Sequence, residues 1–126
     1  MSLKAGQLWI VEFAGNLSDL IAQTTKYWNS YSRKIIGEQL ESAACSVGAN
    51  IAEGYGRTHT VDALRFYSMA RGSLEETIQW LQRAKNRGLI KNGFYLQLVS
   101  RYKILSKSLN KFIQTQTPQI KPPEEN

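Results

Sequence analysis

Asn50, Glu53 and Arg57 stand three and four residues apart in the segment Ser46-Val47-Gly48-Ala49-Asn50-Ile51-Ala52-Glu53-Gly54-Tyr55-Gly56-Arg57. On a helix, that spacing puts an amide, a carboxylate and a guanidinium along one face of a surface otherwise made of small and apolar residues. Arg71, Ser73 and Glu75 form a second polar group downstream, around Gly72. Catalysis by such groups needs a nucleophile beside a base, or clustered ligands for a metal. His59 is the single histidine and falls in a turn, Cys45 is the single cysteine, and the adjacent Glu75 and Glu76 point apart on a helix. No catalytic residue, metal site or cofactor motif assembles from these parts, and the chain is expected not to be an enzyme. The other available chemistry is a polar network between helices. Glu53 and Arg57 have the favourable order for an i,i+4 pair. Arg71 is placed to reach Glu53 from the next helix, and Asn50 to bond Ser73 where Gly72 lets the helices close. A satisfied network of this kind fixes register and partner choice at a cost in stability. Direct contact of the same groups with a ligand is the alternative.

A second set of residues is defined by charge. The formal net charge is +6, unevenly placed: residues 57–111 hold eleven Lys/Arg against three Asp/Glu, whereas residues 1–56 hold four against five. Lys103, Lys107 and Lys111 recur every fourth residue and make one stripe on a helix; Arg101 is near them, and Arg83, Lys85, Arg87 and Lys91 precede them. Charge asymmetry of this sort points to an anionic partner, RNA or DNA. With no regular aromatic interleaving, binding would be directed to phosphates, salt-sensitive and poor in sequence information. A merely solvated basic surface is the competing reading.

The elements that hold these residues are all expected to be helical. In the 126-residue chain, prolines occur only at Pro118, Pro122 and Pro123, so none interrupts a helix before the tail, and no segment alternates as a strand would. The periodicity predicts a first helix from about Leu3 to Trp28, with Trp9, Phe13, Leu17, Leu20, Thr24 and Tyr27 on its apolar stripe. A second, over Lys34 to Tyr55, carries Ile36, Leu40, Ala43, Val47 and Ile51 inward. Its many small residues predict the closest packing and the deepest burial, with Ser32 as its cap and Gly54 and Gly56 in positive-φ conformations ending it. Cys45 reads as a buried small hydrophobe. A third helix spans Thr60 to Asn86 and stops at Gly88; Gly72 within it predicts a close helix contact. A fourth spans Asn92 to Thr115. Four helices with short turns predict an all-α, antiparallel up-down four-helix bundle over 1–115, followed by a flexible polar tail, 116–126. No apolar run reaches membrane-span length and nothing at the N-terminus reads as a signal peptide, so a reducing cytoplasm and no membrane partner are expected.

Ser46, Asn50 to Arg57, Phe66 and Ala70-Arg71-Gly72-Ser73-Leu74-Glu75 together resemble the signature of bacterial four-helix bundle proteins encoded within intervening sequences of 23S ribosomal RNA genes, also labelled S23 ribosomal proteins. That family is similar to the accessory variability proteins of diversity-generating retroelements. The resemblance covers roughly 3–115. It implies a short four-helix bundle, a homopentamer with a basic surface and, for the retroelement relatives, binding to a reverse transcriptase and to nucleic acid. The chain departs from the family pattern where Gly48 stands in place of a usual proline, Glu41-Ser42 in place of a basic residue, and His59 in place of a serine cap.

Charge and resemblance together predict a non-enzymatic accessory protein that binds nucleic acid or a ribonucleoprotein complex. The alternative is a protein-interaction scaffold, for example for a reverse transcriptase, with no direct nucleic-acid contact.

Overall fold

The computed structural model describes residues 5–116, with side chains from residue 9 onward, and within that span it is helical with no strand. The elements are α1 (Ala5–Thr25), α2 (Ser30–Ser32), a π turn (Arg33–Gly37), α3 (Glu38–Tyr55), α4 (Thr60–Asn86) and α5 (Asn92–Gln116). The short α2, the π turn and α3 follow one another without a break, so the chain forms four long rods. Each packs on its neighbour in sequence, and α5 closes back onto α1. The connections are too short to let a rod cross the molecule, so successive rods run in opposite directions. The expected tail lies outside the described residues from 117 on, and Gln116 is the last residue of α5.

One core runs through the bundle. Ile10, Ala14, Leu17 and Ile21 of α1 meet Leu40, Ala44, Val47 and Ile51 of α3, Ala70, Leu74 and Leu81 of α4, and Leu98, Tyr102, Leu105 and Leu109 of α5. Spacings of three and four residues put these side chains on one stripe of each helix, and their removal from water drives the assembly. Buried Ser18, Thr25 and Thr77 bond back to carbonyls of their own helices, at 2.9, 3.3 and 2.7 Å. Tyr102 is the exception: its hydroxyl is fully buried with no hydrogen-bond partner among the described residues. Burial first, and then the neighbouring Cys45, hold its pKa well above the ordinary tyrosine value.

The first helix stops at Thr25, three residues earlier than its apolar spacing suggests. Trp28 N–H bonds Thr25 O at 3.0 Å in a turn, and Asn29, not Ser32, caps the next helix by accepting from Ser32 N–H at 2.9 Å. Tyr27 therefore leaves the core stripe and is 80% exposed. Gly54 and Gly56 are not in the left-handed region; among the described residues only Gly88 has positive φ, at +73°. There Leu89 N–H returns to Ala84 O at 2.9 Å, closing α4 with the wrap that a glycine after a helix permits.

Gly54 serves packing instead. A Cβ at this position would lie 2.5 Å from Tyr67 Cε1 and 3.0 Å from Ala63 O, so it is here, between α3 and α4, that the missing side chain lets the helices meet. Gly72, expected to do this, faces outward with nothing within 4 Å of a Cβ. The small residues of α3 are likewise divided. Ala43 and Ala44 are buried, and a Cβ on half-buried Gly48 would sit 3.4 Å from the Ala14 Cβ, but Cys45, Ala49 and Ala52 are exposed. α3 packs mainly against α1 and α4, so its third side stays open whatever the size of the residues there.

Candidate functional site

Of the polar residues singled out at the end of α3, the structure brings Glu53 and Arg57 together. Arg57 Nη2 donates to Glu53 Oε2 at 3.1 Å, and Arg57 Nε lies 3.7 Å from Asp62 Oδ2. Asp62 Oδ1 also accepts from Arg65 Nη2 at 2.8 Å. Phe66 lies beneath both guanidinium groups, 4.4 Å from Arg57 and 5.3 Å from Arg65. This is an exposed electrostatic clasp over the α3–α4 corner, built from residues at i, i+3 and i+4 spacing together with one contact across the turn. Asn50, Arg71 and Ser73 are not joined to it: no hydrogen bond links Asn50 to Ser73 or Arg71 to Glu53 among the described residues. Arg71 is exposed, and the Ser73 carbonyl is used by Thr77. Gly72 points away from α3, so it brings no helix close enough for the larger network.

The eight basic residues of the second set lie on α4, the α4–α5 turn and α5. Arg83, Arg87, Lys91, Arg101, Lys103, Lys107 and Lys111 are exposed. Lys85 is half-buried, its ammonium 5.1 Å from the Tyr95 ring centre, while Tyr95 Oη donates to Gln82 Oε1 at 2.6 Å. Among the described residues the ion pairs are confined to the α3–α4 corner, and none of these eight cations has a carboxylate partner. Lys103 and Lys107 flank a shallow groove on α5 floored by Leu96, Val99 and Ile104, with Ser100 beside them. Leu96 is 55% exposed and Ile104 51%. The lysine stripe therefore has apolar companions that the fourfold repeat of lysines did not reveal; Leu96, Ser100, Ile104 and Lys107 share its helical face.

The sequence reading also passed over a third basic set. Lys26, Arg33 and Lys34 are exposed at the α1–α2 connection, interleaved with Tyr27, Tyr31 and Ile35. The signal in the sequence is the run Lys26-Tyr27 … Tyr31 … Arg33-Lys34, of which helix periodicity places Tyr27 on the core stripe of α1 and leaves Tyr31 in a polar turn. No group of three or more His, Cys, Asp or Glu side chains among the described residues could hold a metal. No described helix is long and apolar enough to cross a membrane.

The described residues thus form an all-helical bundle with one neutralised corner and a long array of cations that have no carboxylate partner among those residues. More specifically, residues 7–111 match the 23S rRNA-intervening sequence proteins, and the chain belongs to that family. Among solved structures it is similar to a protein of unknown function from the S23 ribosomal protein family of Bacteroides thetaiotaomicron VPI-5482. The TM-score is 0.79 at 18% identity, over 86% of this chain and 98% of that one, a likeness of fold. No curated protein matches the sequence.

Proposed function

We propose that this protein is a non-enzymatic accessory that binds nucleic acid, or a ribonucleoprotein complex, through phosphate contacts. The observation that carries this reading is that, among the described residues, the cations from Arg83 to Lys111 have no carboxylate partner, while the acid-paired arginines, Arg57 and Arg65, lie elsewhere. Like charges held together without counter-charges repel one another, and a polyanion relieves that repulsion while releasing its own counterions. Membership in a family named for 23S rRNA intervening sequences supports an RNA-linked setting. The protein acts in the cytoplasm as a homo-oligomer, a pentamer, so that a weak site on each chain is multiplied by avidity.

A mobility-shift series with RNA and DNA over several salt concentrations tests this. A shift that weakens steeply with salt is expected. Changing Lys103, Lys107 and Lys111 to Ala should flatten the salt dependence by roughly 2–3 units of slope. No shift at the lowest salt ends the nucleic-acid reading.

One observation favours a second reading, a scaffold for another protein such as a reverse transcriptase. Gly15, Cys45, Gly48, Ala49 and Ala52 line an open groove between α1 and α3, a surface on which a further helix could approach closely. Co-purification of a polymerase with a protein that shifts no nucleic acid would favour it.

A further inference from the structure

Seven cations gather at one end of the bundle. Because successive rods alternate in direction, the α1–α2 connection and the α4–α5 turn lie at the same end, and the π turn that begins the second rod packs against α4. The first connection brings Lys26, Arg33 and Lys34, and the second brings Arg83, Lys85, Arg87 and Lys91. Glu38 is the one acid in 26–38 and 83–95, so these two segments together hold a net +6, equal to the formal net charge of the whole chain. The remainder of the molecule is balanced. None of the seven makes a salt bridge among the described residues.

The same end presents aromatic surface. Tyr27 is 80% exposed, Tyr31 69% and Ile35 41%. Single exposed apolar residues are ordinary, but three in nine residues, interspersed with three cations, form a cluster of the kind that marks an interaction surface. They do not support the fold, since rings left in water contribute little burial. What lies beneath them is firmly built. Thr25 is buried, and a Cβ on Gly37 would sit 3.5 Å from the Thr25 side chain and 3.6 Å from the Trp28 ring. Asn29 caps the start of α2, and the π turn holds Ile36 and Gly37 inside while Arg33, Lys34 and Ile35 stay out. Trp28 anchors the corner and Tyr27 projects from it, with Lys26 Nζ 5.0 Å from the Tyr27 ring centre. These contacts fix the backbone that carries the rings, so a partner that stacks on them need not order the chain beneath.

We infer that this end is a single-strand-specific nucleic-acid site, in which unpaired bases stack on Tyr27 and Tyr31 while Lys26, Arg33, Lys34 and the cations of the α4–α5 turn hold the phosphates. This rests on the proposed nucleic-acid function and narrows it from any polyanion to one with exposed base faces. A duplex hides those faces and can use the cations alone; an unpaired strand uses both cations and rings. Stacking tolerates any base, so the site discriminates by strandedness, not by sequence.

The test is fluorescence anisotropy with short labelled oligo-U and oligo-dT strands, and a labelled duplex of the same length, on the full chain. The variants are Tyr27→Ala/Tyr31→Ala and Tyr27→Phe/Tyr31→Phe, with folding verified by circular dichroism and mass by light scattering. The alanine pair should lose about tenfold or more in single-strand affinity, leave duplex affinity within about twofold, and regain single-strand binding in the phenylalanine pair, because the ring face and not the hydroxyl does the stacking. Unchanged single-strand affinity in the alanine pair overturns the inference while leaving the broader function standing. Loss of self-association with unchanged single-strand binding overturns it too, and assigns the tyrosines to a second copy of the chain. If the unaltered protein binds no strand of either kind at low salt, the broader function and this inference both fall.

Discussion

The two ends of the bundle treat positive charge in opposite ways. At the α3–α4 corner, Arg57 and Arg65 are matched by Glu53 and Asp62 at 2.8–3.7 Å and laid over Phe66. At the other end, seven cations share two connecting segments with two exposed tyrosines and a single acid, Glu38. The first corner completes its own electrostatics within the chain and also contains a tight glycine contact, Gly54 against Tyr67. The second has a well-packed base and an unfinished surface. A protein that needed cations only for solubility would gain nothing by concentrating its whole excess at one end. The contrast separates charges that belong to the fold from charges that belong to an interaction.

The largest effect should come from reversing charge at the open end. Arg83→Glu/Arg87→Glu/Lys91→Glu should lower nucleic-acid affinity by about a hundredfold or more at low salt. It should cost about 1–2 kcal/mol of unfolding free energy at most, because Arg83 and Arg87 lie at the C-terminus of α4, where acids oppose the helix dipole. A melting temperature that collapses in this variant would erase the distinction between the ends.

Next in size is Gly54→Ala, at the closed corner. The new methyl would overlap the Tyr67 ring and press on the Ala63 carbonyl, neither of which is a flexible chain end. A loss of about 1–3 kcal/mol is expected in urea unfolding. Gly72→Ala should do the reverse: with nothing within 4 Å of the added methyl, the variant should gain about 0.5–1 kcal/mol from helix propensity alone. If Gly72→Ala destabilises, or dissociates an oligomer, that exposed face of α4 is an interface and not open surface.

Smaller still is the clasp. Glu53 and Arg57 side chains are 59% and 39% exposed, and such pairs are screened. Glu53→Ala should cost about 0.5 kcal/mol or less in the monomer, read by thermal melting at low and high salt. Between the two ends, Tyr102→Phe should leave stability near neutral pH unchanged within about 1 kcal/mol, because the hydroxyl it removes is buried with no hydrogen-bond partner among the described residues. Its effect should emerge in alkali. A tyrosine whose folded pKa lies above its unfolded value of about 10.0 contributes stability below that pH and loses it as pH rises toward the folded pKa. The variant should therefore resist alkaline unfolding better than the parent, as followed by circular dichroism above pH 10.

Much of this arrangement was legible in the residue order. Ile36, Leu40, Val47 and Ile51, or Leu98, Tyr102, Leu105 and Leu109, lie on a helical stripe however the helices are oriented, and all are buried. The Glu53–Arg57 pair needs only one turn of helix to meet. Gly88 had to end α4 because few other residues adopt positive φ. The larger network of Asn50, Arg71 and Ser73 failed as a reading because it required knowing which side of α4 faces α3. Gly72 falls on the outer side, and Gly54 carries the contact in its place.

Local order in this chain therefore determined the helices, their stops, the inward stripes and the excess of positive charge, since each depends on neighbours three or four positions away. Only the packing of four rods decided that the α1–α2 connection and the α4–α5 turn share an end, that Tyr27 stands in water while Trp28 packs against the core, and that Ala49 and Ala52 are bare. Those outcomes depend on the direction in which each rod runs and on which of its sides a neighbour covers, and both are properties of the assembled bundle.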